Sequence, residues 1–361
     1  MRYAALSVLV GLSTTVFAQY EPTHTGEGRV TVLPVYQSWF AEDFVDLSQF
    51  STTVLLQYLY SRDLSFSIQS GQANTSGDVT DINGFTDTQL SIAYRVESAH
   101  VVLTLGCNLP SGKHRLTQEE FELDTVLSKE VFELRHPRYG QGININPGII
   151  WAIPISNNLV LAVGAGYQYL APYVPHISYG EYDPGDEWMV SAGIEARLDE
   201  ASTFSADIIF SSYDKDKFEG FDVYDPGDMT LANLRYQRFF GYNELSFLVH
   251  YRHRDDGKIA LGNTFVDNLA KANPDVIEAL GQFRLHFSSR MAVGFQAGVR
   301  SFQQESSYVN NLNLFGVGVE PEFRLTSAMS LLAVGKFQTG ELDGHGVLTG
   351  WEIGAGLTLH F

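Results

Sequence analysis

The stretch Trp351-Glu352-Ile353-Gly354-Ala355-Gly356-Leu357-Thr358-Leu359-His360-Phe361 decides how the rest of the chain reads. In an extended chain, successive side chains point to opposite faces. Trp351, Ile353, Ala355, Leu357, Leu359 and Phe361 therefore share one greasy face, while Glu352, Gly354, Gly356, Thr358 and His360 share a small or polar one. Chain ends are usually loose and polar, so a strand that runs into a final aromatic needs a partner there. A β-sandwich edge would supply one. A closed barrel, its last strand pairing with its first, does so more economically.

The same alternation recurs upstream. Sixteen candidate strands lie at about Gly28 to Phe40, Phe50 to Tyr60, Leu64 to Thr75, Phe85 to Glu97, His100 to Pro110, Ile143 to Ile155, Leu159 to Ala171 and Asp186 to Leu198. They continue at about Ser202 to Tyr213, Met229 to Phe240, Asn243 to Arg254, Val276 to Phe287, Met291 to Phe302, Asn310 to Leu325, Met329 to Gly340 and Val347 to Phe361. Short links such as Ser98-Ala99 and Gly241-Tyr242 alternate with longer segments, the longest from Ser111 to Gly142. Tight turns at one end and long loops at the other define an up-and-down antiparallel barrel of the bacterial outer membrane, with short periplasmic turns. The expectation is a single all-β transmembrane domain over residues 19–361, with fourteen to sixteen strands and an even number of them.

The first eighteen residues fit a cleaved secretory signal: Arg2, an apolar run from Ala4 to Phe17, and Val16-Phe17-Ala18 ahead of Gln19. No later run approaches the 18 or more apolar residues of a spanning helix, so a membrane would be crossed by strands. Export to the outer membrane of a Gram-negative envelope follows, with membrane lipids and the barrel-assembly machinery as partners. Cys107 is the only cysteine and shares the greasy face of Leu103 and Leu105, so no disulfide is expected.

The chain carries a net charge of −19, nearly all of it in the long segments. That disfavours nucleic acid, which requires a basic surface. Two of these segments repeat a phrase, Tyr182-Asp183-Pro184-Gly185-Asp186 and Tyr224-Asp225-Pro226-Gly227-Asp228. Pro followed by Gly suits a type II turn better than a calcium site, which needs six to eight oxygens. Aromatics near strand ends, Trp39, Phe40, Tyr58, Tyr60, Tyr167, Tyr169, Phe239, Phe240 and Tyr242, are expected in interfacial girdles.

Fixing the greasy faces toward lipid assigns the opposite faces to the interior. Arg95, Glu195, Arg197, Asp207, His250, Arg252, Arg284, His286, Glu320, Glu322, Arg324 and Lys336 are then the lumen-lining candidates. A charge at mid-depth on the lipid face would cost about 2–4 kcal/mol. Mixed signs allow two readings: salt-bridged braces of the wall, or the lining of a water-filled path.

Gly84-Phe85-Thr86-Asp87, the strand ending Ala93-Tyr94-Arg95, and Leu103-Thr104-Leu105-Gly106-Cys107-Asn108-Leu109-Pro110-Ser111-Gly112 carry a family likeness. They resemble the outer-membrane channels associated with meta-cleavage phenol-degradation operons, distant relatives of the long-chain fatty-acid channels. The resemblance covers about thirty residues. It implies passive uptake of small hydrophobic or aromatic molecules, and for Phe361 a role in the signal read by the assembly machinery.

Fatty-acid channels carry a long amino-terminal plug, whereas only about ten residues, Gln19 to Gly28, precede the first strand here. The constriction is therefore expected from Ser111 to Gly142, with Thr117 to Leu134 forming a short helix over the mouth. A non-conducting, envelope-organising barrel is the first alternative. An outer-membrane lipase or protease barrel is the second, although the scattered histidines form no recognisable triad. No cofactor, metal or catalytic residue is assigned, and a homo-oligomer is compatible with the pattern without an apolar patch to mark its interface.

Overall fold

A computed structural model describes residues 25–42, 45–78, 80–178, 180–261, 264–267, 274–303, 312–342 and 346–361. Residues 1–18, the expected leader, lie outside them. The chain forms a closed antiparallel barrel of sixteen strands. In chain order these are β1 (Gly28–Ala41), β2 (Val45–Ser61), β3 (Leu64–Ser76), β4 (Asp81–Phe85 and Thr88–Val96, broken at Thr86), β5 (Val101–Leu109), β6 (Asn144–Pro154), β7 (Leu159–Leu170) and β8 (Glu187–Arg197). They continue as β9 (Ser202–Tyr213), β10 (Met229–Phe240), β11 (Asn243–Arg254), β12 (Asp275–Ser288), β13 (Met291–Gln303), β14 (Asn313–Thr326), β15 (Met329–Leu342) and β16 (Gly346–His360).

Each strand pairs with its sequence neighbours, and β16 closes on β1 with Leu357 opposite Val32 and Ile353 opposite Tyr36. At the end of that seam Gly28 and Phe361 exchange two backbone hydrogen bonds, 2.8 and 3.0 Å, and the Phe361 ring stacks on Tyr58. Closure matters physically, because an open edge in hydrocarbon would leave every second backbone group without a partner.

The ladders carry one face around the whole ring. Ile194 stands opposite Ala206, Ala206 opposite Leu234 and Leu234 opposite Val249, all on the outer surface. That surface exposes Trp151, Trp188, Val190, Ile208, Phe247, Val317 and Ile353 among many others. So broad an apolar belt is far larger than the patches a soluble monomer tolerates and is the surface a lipid bilayer solvates. Cys107 lies on this outer face, paired with Leu90.

Three sequence expectations change. Trp39 does not join an interfacial girdle; it points inward, 2% exposed, while Phe40 beside it is 54% exposed on the outer face. Adjacent residues on a strand cannot both face lipid, and by the same rule Phe239, opposite Glu244 on the inner face, leaves the girdle to Phe240. The link between the first two candidate strands, Phe40 to Phe50 by their expected bounds, is much shorter, because β1 runs to Ala41 and β2 begins at Val45.

Nor are the loops after β7, β9 and β11 irregular. They pair into a separate five-stranded antiparallel sheet built from Tyr182–Asp183, Asp216–Phe218, Phe221–Asp225, Lys258–Leu261 and Thr264–Asp267. The two repeated phrases sit in this sheet but are not equivalent. Gly227 has φ +74, as a type II turn requires, whereas Gly185 keeps an ordinary φ. A Cβ at Gly185 would come within 1.9 Å of the Asp214 carbonyl oxygen, so close backbone approach explains that glycine. Its N–H donates 2.9 Å to Asp216 Oδ1, and the Tyr182 hydroxyl donates to the same carboxylate.

Candidate functional site

The interior is shaped by the segment between β5 and β6, which folds into the barrel instead of lying over its mouth. Its helix α1 (Gln118–Leu127) starts with a reciprocal cap: Glu120 N–H donates to Thr117 Oγ1 (3.3 Å), and Thr117 N–H donates to Glu120 Oε2 (3.1 Å). Lys113 holds the same carboxylate at 2.5 Å. Leu123 and Leu127, one turn apart, turn inward.

A single 3₁₀ turn, Glu130–Phe132, then ends on Glu133 at φ +43, a left-handed backbone that a non-glycine residue adopts at a cost of about 1–3 kcal/mol. Leu127, Val131, Phe132, Leu134 and Tyr139 enter one buried cluster with Trp39, Leu47, Ala73, Phe302, Leu314 and Leu348 of the wall. Trp39 meets the Phe132 ring edge-on at 5.8 Å between centroids.

Past the apolar cluster the contact becomes polar. Gln37 and Gln49, directly opposite each other on β1 and β2, read the backbone of the inserted segment as a strand would. Gln37 donates to the Glu133 carbonyl (3.0 Å) and accepts from Arg135 N–H (2.7 Å). Gln49 donates to the His136 carbonyl (2.9 Å) and accepts from His136 N–H (3.1 Å). The buried backbone is thereby satisfied without a β-ladder.

The Glu133 carboxylate is a hub. Arg300 of β13 and Lys336 of β15 form ion pairs with it, and Gln338 donates to it at 2.8 Å. Arg135 pairs with Glu352 of β16, whose other oxygen accepts from Gln37 at 3.0 Å. Arg252 of β11 pairs with Glu130. The segment is thus anchored on β1 to β3, on β11 and on β13 to β16.

Against this arrangement the twelve lumen candidates divide into groups. All twelve lie on the inner face by ladder register. Arg252 and Lys336 hold the inserted segment, and Arg284 and Glu322 pair with each other. Asp207, Asn233 and His250 form a chain across β9, β10 and β11, with Asn233 donating to Asp207 and facing His250 Nδ1, each at 2.8 Å. Glu320 lies inward at mid-strand, and Arg95, Glu195, Arg197, His286 and Arg324 lie toward the short-turn end.

Glu130, Glu133, Arg135, Glu278, Arg300 and Glu352 are site residues that the strand alternation above did not single out. Alternation carries the signal for Arg300 and Glu278, since Phe295, Ala297 and Val299 fix Arg300 inside, and Glu278 faces it at 3.1 Å. The inserted segment has no period that ties it to a particular wall.

Two titratable groups of the inserted segment oppose each other. Burial, with Arg135 beside it, holds His136 neutral with its pKa down at about 4, and its Nε2 lies 3.0 Å from Thr53 Oγ1. Burial raises Asp124 to about 6, and its Oδ1 is enclosed without a hydrogen-bond partner. Docking stability from His136 is complete above the unfolded pKa of about 6.5 and is lost as pH falls toward 4. Asp124 has the other sign: its contribution is complete below 3.8 and is lost as pH rises through 6.

At pH 5 the two largely cancel, so the wild-type segment should stay docked there. Asp124→Asn removes the compensation and exposes a loss of about 2 kcal/mol at pH 5 relative to pH 7. Protease nicking within residues 111–142 should rise at pH 5 in this variant and little in wild type. Equal nicking in both would refute the assignment.

No protein-family model and no curated protein sequence matches the chain. Its fold is similar to solved outer-membrane channels. Acinetobacter baumannii OccAB1 aligns with TM-score 0.51 at 8% identity, over 93% of this chain and 97% of that one. The CymD monoaromatic hydrocarbon channel aligns with TM-score 0.49 at 8% identity, over 94% and 89%, and Pseudomonas aeruginosa OprD with 0.44 at 9%, over 92% and 95%. At such identities the likeness is one of fold, that of an outer-membrane β-barrel of the porin and channel kind.

Proposed function

We propose that the protein is an outer-membrane channel for passive entry of small solutes, exported with cleavage after Ala18 and threaded into the membrane by the assembly machinery through its terminal strand. The observation that carries this reading is the one-sided seating of the inserted segment. The inner faces of β1, β2 and β16 are buried where the segment seats, whereas Gly148, Gly166, Ser191, Gly193, Asp207 and Asn233 on β6 to β10 stay partly open to solvent between the buried Ile150, Ala162, Ser211 and Leu231. Small and polar side chains on that wall leave room beside the segment and offer water hydrogen bonds, which supports a hydrated path.

The finer reading, small hydrophobic or aromatic solutes, rests on the resemblance of residues 84–112 to the phenol meta-pathway channels. The buried apolar cluster around Phe132 favours a second reading, a closed barrel that organises the envelope. Planar bilayers separate the two. Folded protein should give discrete conductance steps, and replacing residues 117–134 by a short Gly-Ser linker should enlarge them at least twofold. Silent membranes containing folded protein would favour the closed barrel. Turnover of phospholipid or peptide by protein folded in detergent would favour an enzyme.

A further inference from the structure

The charged groups of the interior are unevenly matched along the barrel axis. Where the inserted segment meets the wall, cations and carboxylates are matched: Arg135 of the segment has Glu352, Arg252 has Glu130, Arg300 has Glu133 and Glu278, and Lys336 has Glu133. Toward the short-turn end the balance reverses. Arg95 of β4, Arg197 of β8, Arg235 of β10 and Arg324 of β14 all point inward by register, Arg95 half-buried and the other three exposed, and none makes an ion pair among the described residues.

The carboxylates nearest in level are few. Glu195 stands two residues from Arg197 on the same face, Glu244 accepts from Gln237 at 2.6 Å, and Glu322 is taken by Arg284. His286 adds to the same rim. The long loops at the other end hold nearly all of the chain's charge of −19.

The structure assigns to the short-turn mouth an arginine collar that binds anions, oxyanions such as phosphate or carboxylate, on the periplasmic side of the path. Its orientation rests on the channel reading above. Sixteen strands about 4.8 Å apart and tilted by about 40° close to a ring roughly 30 Å across. Arginines reaching inward from four sides of that ring leave an opening only two to three Debye lengths wide, with a Debye length of about 8 Å. Their fields overlap in the opening, and a planar fork of donors suits an oxyanion with several oxygens. Rings of arginine select for anions where rings of acid select for cations. With acid at one mouth and arginine at the other, the path is electrically polarised.

The test uses the full-length mature protein in planar bilayers, with inorganic tripolyphosphate added first to one side and then to the other. Protease that cuts the loops at 172–185 and 255–275 identifies the long-loop side. Block is expected at tenfold or lower concentration from the opposite side. The combined substitution of Arg95, Arg197, Arg235 and Arg324 by Gln should reduce that sidedness at least fivefold, and Arg→Lys at the same four positions should largely restore it. Gln at Arg62 and Arg290, which lie in the turns outside the lumen, should leave it unchanged.

Equal block from both sides, or block indifferent to the four substitutions, would overturn the collar while leaving the channel intact. Membranes without current would sink the channel reading instead. The collar is then judged by calorimetric titration of detergent-folded protein with tripolyphosphate, where binding unaltered by the four substitutions would overturn it.

Discussion

Glu133→Gln is expected to undock the inserted segment and raise single-channel conductance several-fold. Its carboxylate is the shared counterion of Arg300 and Lys336, so removing its charge leaves the largely enclosed Lys336 without its ion-pair partner and Arg300 with Glu278 alone. Breaking a fully buried pair costs about 3–5 kcal/mol. Glu133 retains 26% side-chain exposure, so about 2–3 kcal/mol is the appropriate expectation after allowance for solvent screening.

A change of that size shifts the docked-to-undocked ratio by roughly 30- to 150-fold. Single-channel recording should find larger steps, and protease should cut within residues 111–142. Glu119→Gln, on the exposed side of α1, serves as the control. Unchanged conductance together with unchanged protection would sink the hub.

Trp39→Ala should be the most destabilising single truncation of the wall, at about 3–5 kcal/mol. Its ring is fully enclosed, packs edge-on against Phe132, and lies so close to β16 that a Cβ on Gly350 would come within 2.5 Å of it. The substitution therefore empties the junction of the inserted segment, β1 and the closing strand at once. Phe40→Ala, one residue along, removes a ring that faces outward and should cost about 1 kcal/mol or less. Heat-induced loss of the compact band on cold gel electrophoresis compares them directly. A shift from Phe40→Ala equal to that from Trp39→Ala would mean that the two faces of β1 have been assigned wrongly.

The contrast between these neighbours shows what alternation can and cannot convey. Leu245, Phe247 and Val249 are enough to place His250 and Arg252 inside, because a strand permits no third direction. Near strand ends the pattern blurs: Trp39-Phe40 and Phe239-Phe240 are both aromatic pairs, and nothing local says which ring is inside. Likewise, the charge of Arg252 or Lys336 told nothing of its partner, since Glu130 and Glu133 lie 122 and 203 residues away along the chain.

By itself the sequence determined the barrel: sixteen alternating segments, short turns against long loops, and an outer face that a bilayer solvates. The period of two belongs to each strand alone, and the closing ladder only repeats it. Tertiary structure decided where residues 111–142 go, which cations they neutralise, which arginines stay unmatched, and that three loops pair into a second sheet. Those outcomes depend on many distant groups meeting together, Gln37 and Gln49 on one backbone and two cations on one carboxylate, and no local period encodes such a meeting.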